Sequence, residues 1–236
     1  MRILGTICAR GGSKGIKNKN IRLLLGKPLI AHSINALKSW GKADRLICST
    51  DSMEIQKIAQ KYGAEIPFIR PAELATDKAD KHSVLQHALK FCEEQENVKY
   101  DYIVDLDPTS PLRTVKDIDL SFNKLINNPE ADLIFSVFKA HKNPYFNMVE
   151  LDSKGYAYLC KTPEKVIVAR QFAPIVYSMN ASIYIYRRRS LIGTSNLFSG
   201  KSIIHEMSDL TIDIDIESDF EYIEFIVKKG LFKFDY

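Results

Sequence analysis

The stretch RILGTICARGGSKGIKNKN, residues 2–20, decides how the rest of the chain is read. Its first eight residues form the short, nearly continuous apolar run expected of a strand buried on both faces. Three glycines, one arginine and three lysines then crowd positions 10–19. In KPLIAHSINALKSWGK (27–42), Leu29, Ile30, Ser33, Ile34 and Leu37 keep helical spacing behind Pro28, which suits a helix start. Strand, cationic glycine loop and helix make the opening of a βαβ unit.

The same rhythm continues. RLICST (45–50) reads as a strand, and DSMEIQKIAQKYG (51–63) as a helix with Ile55, Ile58, Ala59 and Tyr62 on one face and Gly63 at its C-terminal cap. AEIPFI (64–69) is a third strand candidate, KHSVLQHALKFCEE (81–94) a helix, DYIVDLD (101–107) a strand and VKDIDLSFNKLINN (115–128) a helix. Such alternation predicts right-handed crossovers and a Rossmann-like, mainly parallel α/β sheet flanked by helices. After ADLIFSVF (131–138) the rhythm breaks. Residues 139–179 show no clear helix, and NMVELDSKGYAYLC (147–160) resembles a hairpin turning at 152–155, so the segment is expected to be an inserted β-arm. The α/β pattern, covering 1–138 and 180–236, resumes with NASIYIYRR (180–188), a short strand at 201–205, the strand-like LTIDID (210–215) and a closing helix from about 217 to 229.

Composition narrows the function. With 236 residues, 45% hydrophobic and 26% charged, the chain has the content of an ordinary globular domain with a sizeable core. The 33 basic and 29 acidic residues give a net charge of +4, without the basic stripe of a nucleic-acid binder. The run Arg187-Arg188-Arg189 reads as a solvated rim. Cys8, Cys48, Cys92 and Cys160 have no C-x-x-C spacing and are expected to be reduced and structural. With no signal-peptide layout and no apolar run near the ~18 residues that span a bilayer, a cytoplasmic protein that binds neither membrane nor nucleic acid is expected.

Glycine accepts positive φ, so a glycine-rich loop can turn successive N–H groups into one anion-holding concavity. Neither G-x-x-x-x-G-K-[ST] nor G-x-G-x-x-G occurs here. Arg10, Lys14, Lys17 and Lys19 instead carry enough charge for a nucleoside triphosphate, the alternative being a solvated connection. Asp213 and Asp215 alternate, and two side chains of a strand at that spacing face one way, as a Mg²⁺ site requires. The alternative is that they serve the positive end of the helix that follows. Asp51 stands three residues before Glu54 at a helix head, a capping-box spacing. The five histidines have no metal-ligand spacing, and none is assigned as a general base.

ARGGSKG with KNKN (9–20), STD (49–51), RPAELATD (70–77), PTSPLR (108–113), RQ with Pro174 and Asn180, and DIDIESDF (213–220) follow one another over nearly the whole chain. In these motifs the sequence resembles the cytidylyltransferases that activate acidic ulosonic sugars, above all the CMP-N-acetylneuraminate synthetases. The resemblance implies CTP, a nonulosonic acid, a divalent cation (Mg²⁺) and a homodimer joined through the arm. It implies that Arg10, Gly11, Gly12, Ser13, Lys14 and Gly15 cradle the triphosphate, with Lys19 and Asn20 bracing it and Arg70 reaching its phosphates or base. Lys14, Lys19, Asp213 and Asp215 form its catalytic set, and Asp213 and Asp215 hold the metal. Asp107, Arg170, Gln171 and Asn180 face the sugar, with a turn role open for Asn180 and a metal-ligand position open for Asp107.

Two departures bear on the sugar. Relatives that take N-acetylneuraminate often carry glutamine where this chain has Asp107, and a polar residue where it has Phe172. An ionised carboxylate only accepts hydrogen bonds, so the change suits a sugar richer in N–H and O–H donors, such as one of the legionaminic type. The remaining alternatives are a ketodeoxyoctonate cytidylyltransferase and a nucleotide-sugar binding protein without turnover.

Overall fold

The structure is a computed structural model and describes every residue except 13, 14, 195, 199 and 209. In chain order its elements are β1 (Ile3–Cys8), β2 (Leu23–Leu24), β3 (Lys27–Pro28), α1 (Leu29–Trp40), β4 (Arg45–Ser49), α2 (Met53–Tyr62), α3 (Lys81–Glu96), β5 (Tyr102–Leu106), α4 (Val115–Ile126), β6 (Leu133–Lys139), β7 (Val149–Leu151), β8 (Ala157–Leu159), β9 (Tyr177–Arg187), α5 (Arg188–Gly193), β10 (Ser202–Glu206) and α6 (Glu217–Lys228).

Six strands form the central sheet in the order β10-β6-β9-β5-β1-β4. β1 runs parallel to β4 and β5, and β10 parallel to β6, but β9 lies antiparallel between β5 and β6. This mixed pairing has a simple cause. The arm is a long excursion from the end of β6 that returns the chain directly beside it, as a hairpin does, whereas the other neighbours are joined by helical crossovers. The pairing of Lys139 with Tyr177 closes the base of the arm, so the insertion is confined to 140–176, slightly inside the expected bounds. Its hairpin β7–β8 turns at Asp152–Gly155, where Gly155 has φ +85° and the Asp152 carboxylate accepts from the N–H groups of Lys154 and Tyr156.

Helices cover both sheet faces. Ile34 and Trp40 of α1, Ile55 of α2 and Phe122 of α4 pack on one, while Leu85 and Leu89 of α3 and Leu191 of α5 pack on the other. A third, smaller cluster joins Ile16, Leu29, Leu112 and Ile214 to Phe220 and Ile223 of α6, seating the glycine loop on the last helix. Among the described residues no helix is long and apolar enough to cross a membrane.

Two expected strands are absent. AEIPFI makes only one parallel bridge, Ile47 with Glu65, before Pro67 removes the N–H that the ladder needs next. LTIDID does not join a sheet either: its extended backbone is held by the loop after β5, Ile214 N donating to Thr109 O at 2.8 Å.

Candidate active site

The chain passes from β1 to β4 on one side and then to β5 on the other, which makes a switch point between β1 and β5. In open α/β sheets ligands settle at the carboxyl ends of the strands flanking such a point. A hollow of about 340 Å³ lies there, with Arg10, Gly15, Lys19, Asn20, Asp107 and Asp215 on its walls. A second hollow of about 210 Å³ shares Cys8 and Arg10 with it and is bounded by Arg70, Thr76, Asp77 and Lys81.

The glycines serve close approach rather than positive φ, contrary to the nest expected from the sequence. Gly11, Gly12 and Gly15 are absent from the positive-φ residues, and the left-handed turn falls on Asn18 at φ 56°. A Cβ on Gly15 would sit 2.6 Å from the carbonyl oxygen of Asp215, and one on Gly11 would sit 3.0 Å from Ser52 Cβ. Gly12 has open space around it, and Ser13 and Lys14 lie outside the described residues. Gly11 N donates to Asp51 Oδ1 at 2.9 Å, so Asp51 anchors the loop, while Ser52 caps α2 by accepting from Ile55 N. The capping box read at Asp51 and Glu54 is thus corrected by one residue. Asn20 is buried and donates to Arg10 O. The Arg10 guanidinium meets Asp77 at 2.5 Å. Arg70 is no exposed loop residue: it is buried, donates to the hydroxyl and carbonyl oxygens of Ser49, and turns toward the second hollow.

Lys19 crosses from the glycine loop to the acidic segment, its Nζ donating to Ile214 O and lying 3.5 Å from Asp215 Oδ1. Asp215 is exposed; Asp213 is half-buried and its Oδ1 is buried without a hydrogen-bond partner. Burial first, then the charges of Asp107 and Asp215, raise the Asp213 carboxyl above its ordinary value against the Thr109 hydrogen bond and Lys19. An orphaned carboxylate oxygen beside like charges is an environment that a cation relieves. Among the described residues no cluster of three or more His, Cys, Asp or Glu side chains is set to hold a metal. Two carboxylates still fit Mg²⁺, which keeps several waters and shares its shell with substrate phosphates.

Asp107 lines the first hollow, but its carboxylate is engaged. Lys81 Nζ lies 2.5 Å from Asp107 Oδ2 and 3.0 Å from the buried Asp105, and Thr109 donates to Asp107 Oδ1. Against the effect of burial, Lys81 foremost holds Asp107 below the usual carboxylate range. Arg170 and Gln171 are not brought to this hollow. They line a separate one of about 520 Å³ with Lys139, Asn143 and Pro174 at the root of the arm. Asn180 stands inside β9 rather than at a strand start, is 2% exposed, and bonds with Ser136, Met207 and Thr211. The expected solvated rim of arginines is corrected as well: Arg187 donates to the carbonyls closing α4, Arg188 pairs with Glu93, and Arg189 reaches Pro129 O. A hollow of about 600 Å³ beside them lies at the opposite strand ends, and its charges are consumed by these structural bonds.

With this geometry in view, the profile of the cytidylyltransferases matches residues 4–229, and the chain belongs to that family of nucleotide-transferring enzymes. It is 42% identical to post-translational flagellin modification protein B of Campylobacter coli over 96% of this chain and 95% of that one. It is likewise 42% identical to CMP-N,N'-diacetyllegionaminic acid synthase of Campylobacter jejuni, over 95% of this chain and 94% of that one. In fold it matches a solved structure of CMP-2-keto-3-deoxy-manno-octonic acid synthetase complexed with CTP, with a TM-score of 0.72 at 16% identity over 98% of this chain and 100% of that chain.

Proposed function

We propose that the chain transfers CMP from CTP to the anomeric hydroxyl of a nonulosonic acid, of the N,N'-diacetyllegionaminic type before N-acetylneuraminate, releasing pyrophosphate. One observation carries the reading: the cationic glycine loop and the acidic segment meet without a gap, Gly15 against Asp215 O and Lys19 against Ile214 O, in a single hollow at the switch point. The legionaminic preference rests on the 42% identical synthase, since the Asp107 carboxylate is already engaged by Lys81 and Thr109.

In this reaction the anomeric oxygen forms a bond to the α-phosphorus as the bond from that phosphorus to the bridging oxygen breaks, and the hydroxyl proton is lost. Such a transfer needs alignment and charge compensation more than covalent help. Arg10 and Lys19 bind the triphosphate, and Lys14 is assigned with them on the resemblance. Before CTP arrives Arg10 must leave Asp77, so the loop is charge-compensated in its resting form. Arg70 serves the nucleotide from the second hollow. Asp213 and Asp215 would hold Mg²⁺, whose positive charge would favour an ionised acceptor hydroxyl and offset charge building on the α-phosphate. A homodimer through residues 140–176 and a cytoplasmic setting complete the proposal; Arg170 and Gln171 ride on the arm rather than on the sheet.

The test is pyrophosphate release from CTP and Mg²⁺ with N,N'-diacetyllegionaminic acid, N-acetylneuraminate and ketodeoxyoctonate in parallel. A kcat/KM highest for the first is expected; a preference for N-acetylneuraminate would overturn the sugar assignment, and CTP binding without turnover would overturn the enzyme.

A further inference from the structure

We infer that Arg113 is a positioning residue that sets the acidic segment against the glycine loop, and so governs turnover rather than nucleotide affinity; the kinetic half of this inference rests on the function proposed above. Arg113 is 0% exposed and, among the described residues, makes no ion pair. Burying a guanidinium without a carboxylate is costly, and burial lowers its pKa. An apolar side chain would fill the same space without that cost. What the planar fork adds is geometry. Its Nη2 donates to both Asp107 O and Ser110 O, its Nη1 to Ser33 Oγ at 2.7 Å, and its Nε to Ser182 Oγ at 2.8 Å. Ser33 in turn donates to Asp107 O, and Ser182 to Ser110 O. Each carbonyl is therefore held twice, fixing both ends of the loop 107–110.

That loop holds the acids. Thr109 O accepts from Ile214 N at 2.8 Å, and Ser110 Oγ donates to Ile212 O at 3.3 Å. Asp213 and Asp215 are thus registered through two peptide contacts whose origin is Arg113. Of the cations assigned to the nucleotide, Arg10 and Arg70 are anchored elsewhere, on Asp77 and on Ser49, and Lys19 alone of the three bonds the acidic segment, at Ile214 O. Displacing the acids relative to the loop should therefore lower kcat far more than it weakens CTP binding.

Arg113→Lys keeps the charge but puts one nitrogen where the fork had three. In the folded variant kcat should fall about tenfold or more while KM for CTP stays within about threefold. The Ile214 amide should also exchange with solvent faster than in the native chain, with the Val104 amide of β5 unchanged. Unchanged kcat, a rise in KM alone, or native protection at Ile214 would each overturn the inference. If Arg113→Lys does not fold, the double variant Ser33→Ala/Ser182→Ala carries the test, removing two acceptors of Arg113 while leaving it Asp107 O and Ser110 O, with a fall in kcat of about threefold expected and none overturning it. Should the native chain fail to turn over CTP with any of the sugars, the functional reading falls, and exchange at Ile214 alone still decides for or against the positioning role.

Discussion

The rim of the nucleotide hollow and the arm are built on opposite principles. Around the hollow, polar groups are buried and interlocked: Ser110 and Arg113 are wholly covered, and Asp105, Lys81, Asp107 and Thr109 form one continuous network. On the arm the apolar groups are the exposed ones. Of 22 large hydrophobic residues exposed on the described chain, 9 lie on the arm, between 148 and 175. In the first region most polar groups find their partners within the chain, Asn20 Oδ1 and Asp213 Oδ1 being the buried exceptions. The second leaves many large apolar side chains in water.

The strongest way to probe the first principle is Asp215→Asn, which keeps shape and removes charge. Turnover should fall about 100-fold or more, as when one preorganised electrostatic partner is lost. CTP affinity measured by calorimetry should change far less. Native turnover would remove Asp215 from the proposed metal site.

Gly15→Ala comes next and tests close approach in place of charge. The added Cβ would meet Asp215 O at 2.6 Å, and a backbone oxygen cannot swing aside as the end of a flexible side chain can. The loop and the acidic segment must part by several tenths of an ångström, with an expected loss of about tenfold in kcat, since small misplacements are amplified in transfer reactions. Gly193→Ala, on α5 and with open space around it, is the control and should retain activity.

The sequence disclosed this site unevenly, and the residues say why. The order of strands and helices was legible because apolar periodicity is a local signal, and it set the glycine loop, with Arg10 and Lys19, after the first strand; Asp215 was expected on a strand and reaches the hollow outside any strand. Asp51 was misread because a capping spacing is also local, whereas its actual bond reaches forty positions back to Gly11. Arg113 passed as one letter of a motif. Nothing in a one-dimensional pattern reports that Ser33 and Ser182, 80 and 69 positions away, converge on it. The antiparallel course of β9 was hidden likewise, because strand direction is set by the return of the arm and not by composition.

A region distant from both calibrates effects on stability alone. Glu93 is nearly buried, yet Arg188, Lys99 and Tyr100 N overcome burial and hold its carboxyl at about 2. A depressed carboxyl contributes stability that is complete above its unfolded value near 4.5 and is lost as pH falls toward about 2. Thermal melts should therefore steepen in decline across that window. Glu93→Gln should melt lower at pH 7, by about 2–4 °C for each kcal/mol lost, and should flatten the acid limb. Activity well below the melting point should be unaffected, in contrast to both site variants.

The smallest effect on folding, and the one that sharpens the comparison most, belongs to the arm. Val166 and Val168 are 89% and 79% exposed and lie between 140 and 176. A charged residue at either position is already in water in the single chain, so Val166→Glu/Val168→Glu should change its stability by no more than about 0.5 kcal/mol per site. In a paired assembly the same carboxylates would be desolvated against an apolar partner, a far larger cost. Light scattering should therefore report half the native mass, while far-UV circular dichroism and the melting profile of the dilute protein stay native. If the native chain is itself a monomer, the arm is not the joint and its exposed surface needs another occupant. If mass halves and turnover disappears with it, the hollow at the switch point depends on a second copy even though its own walls are complete.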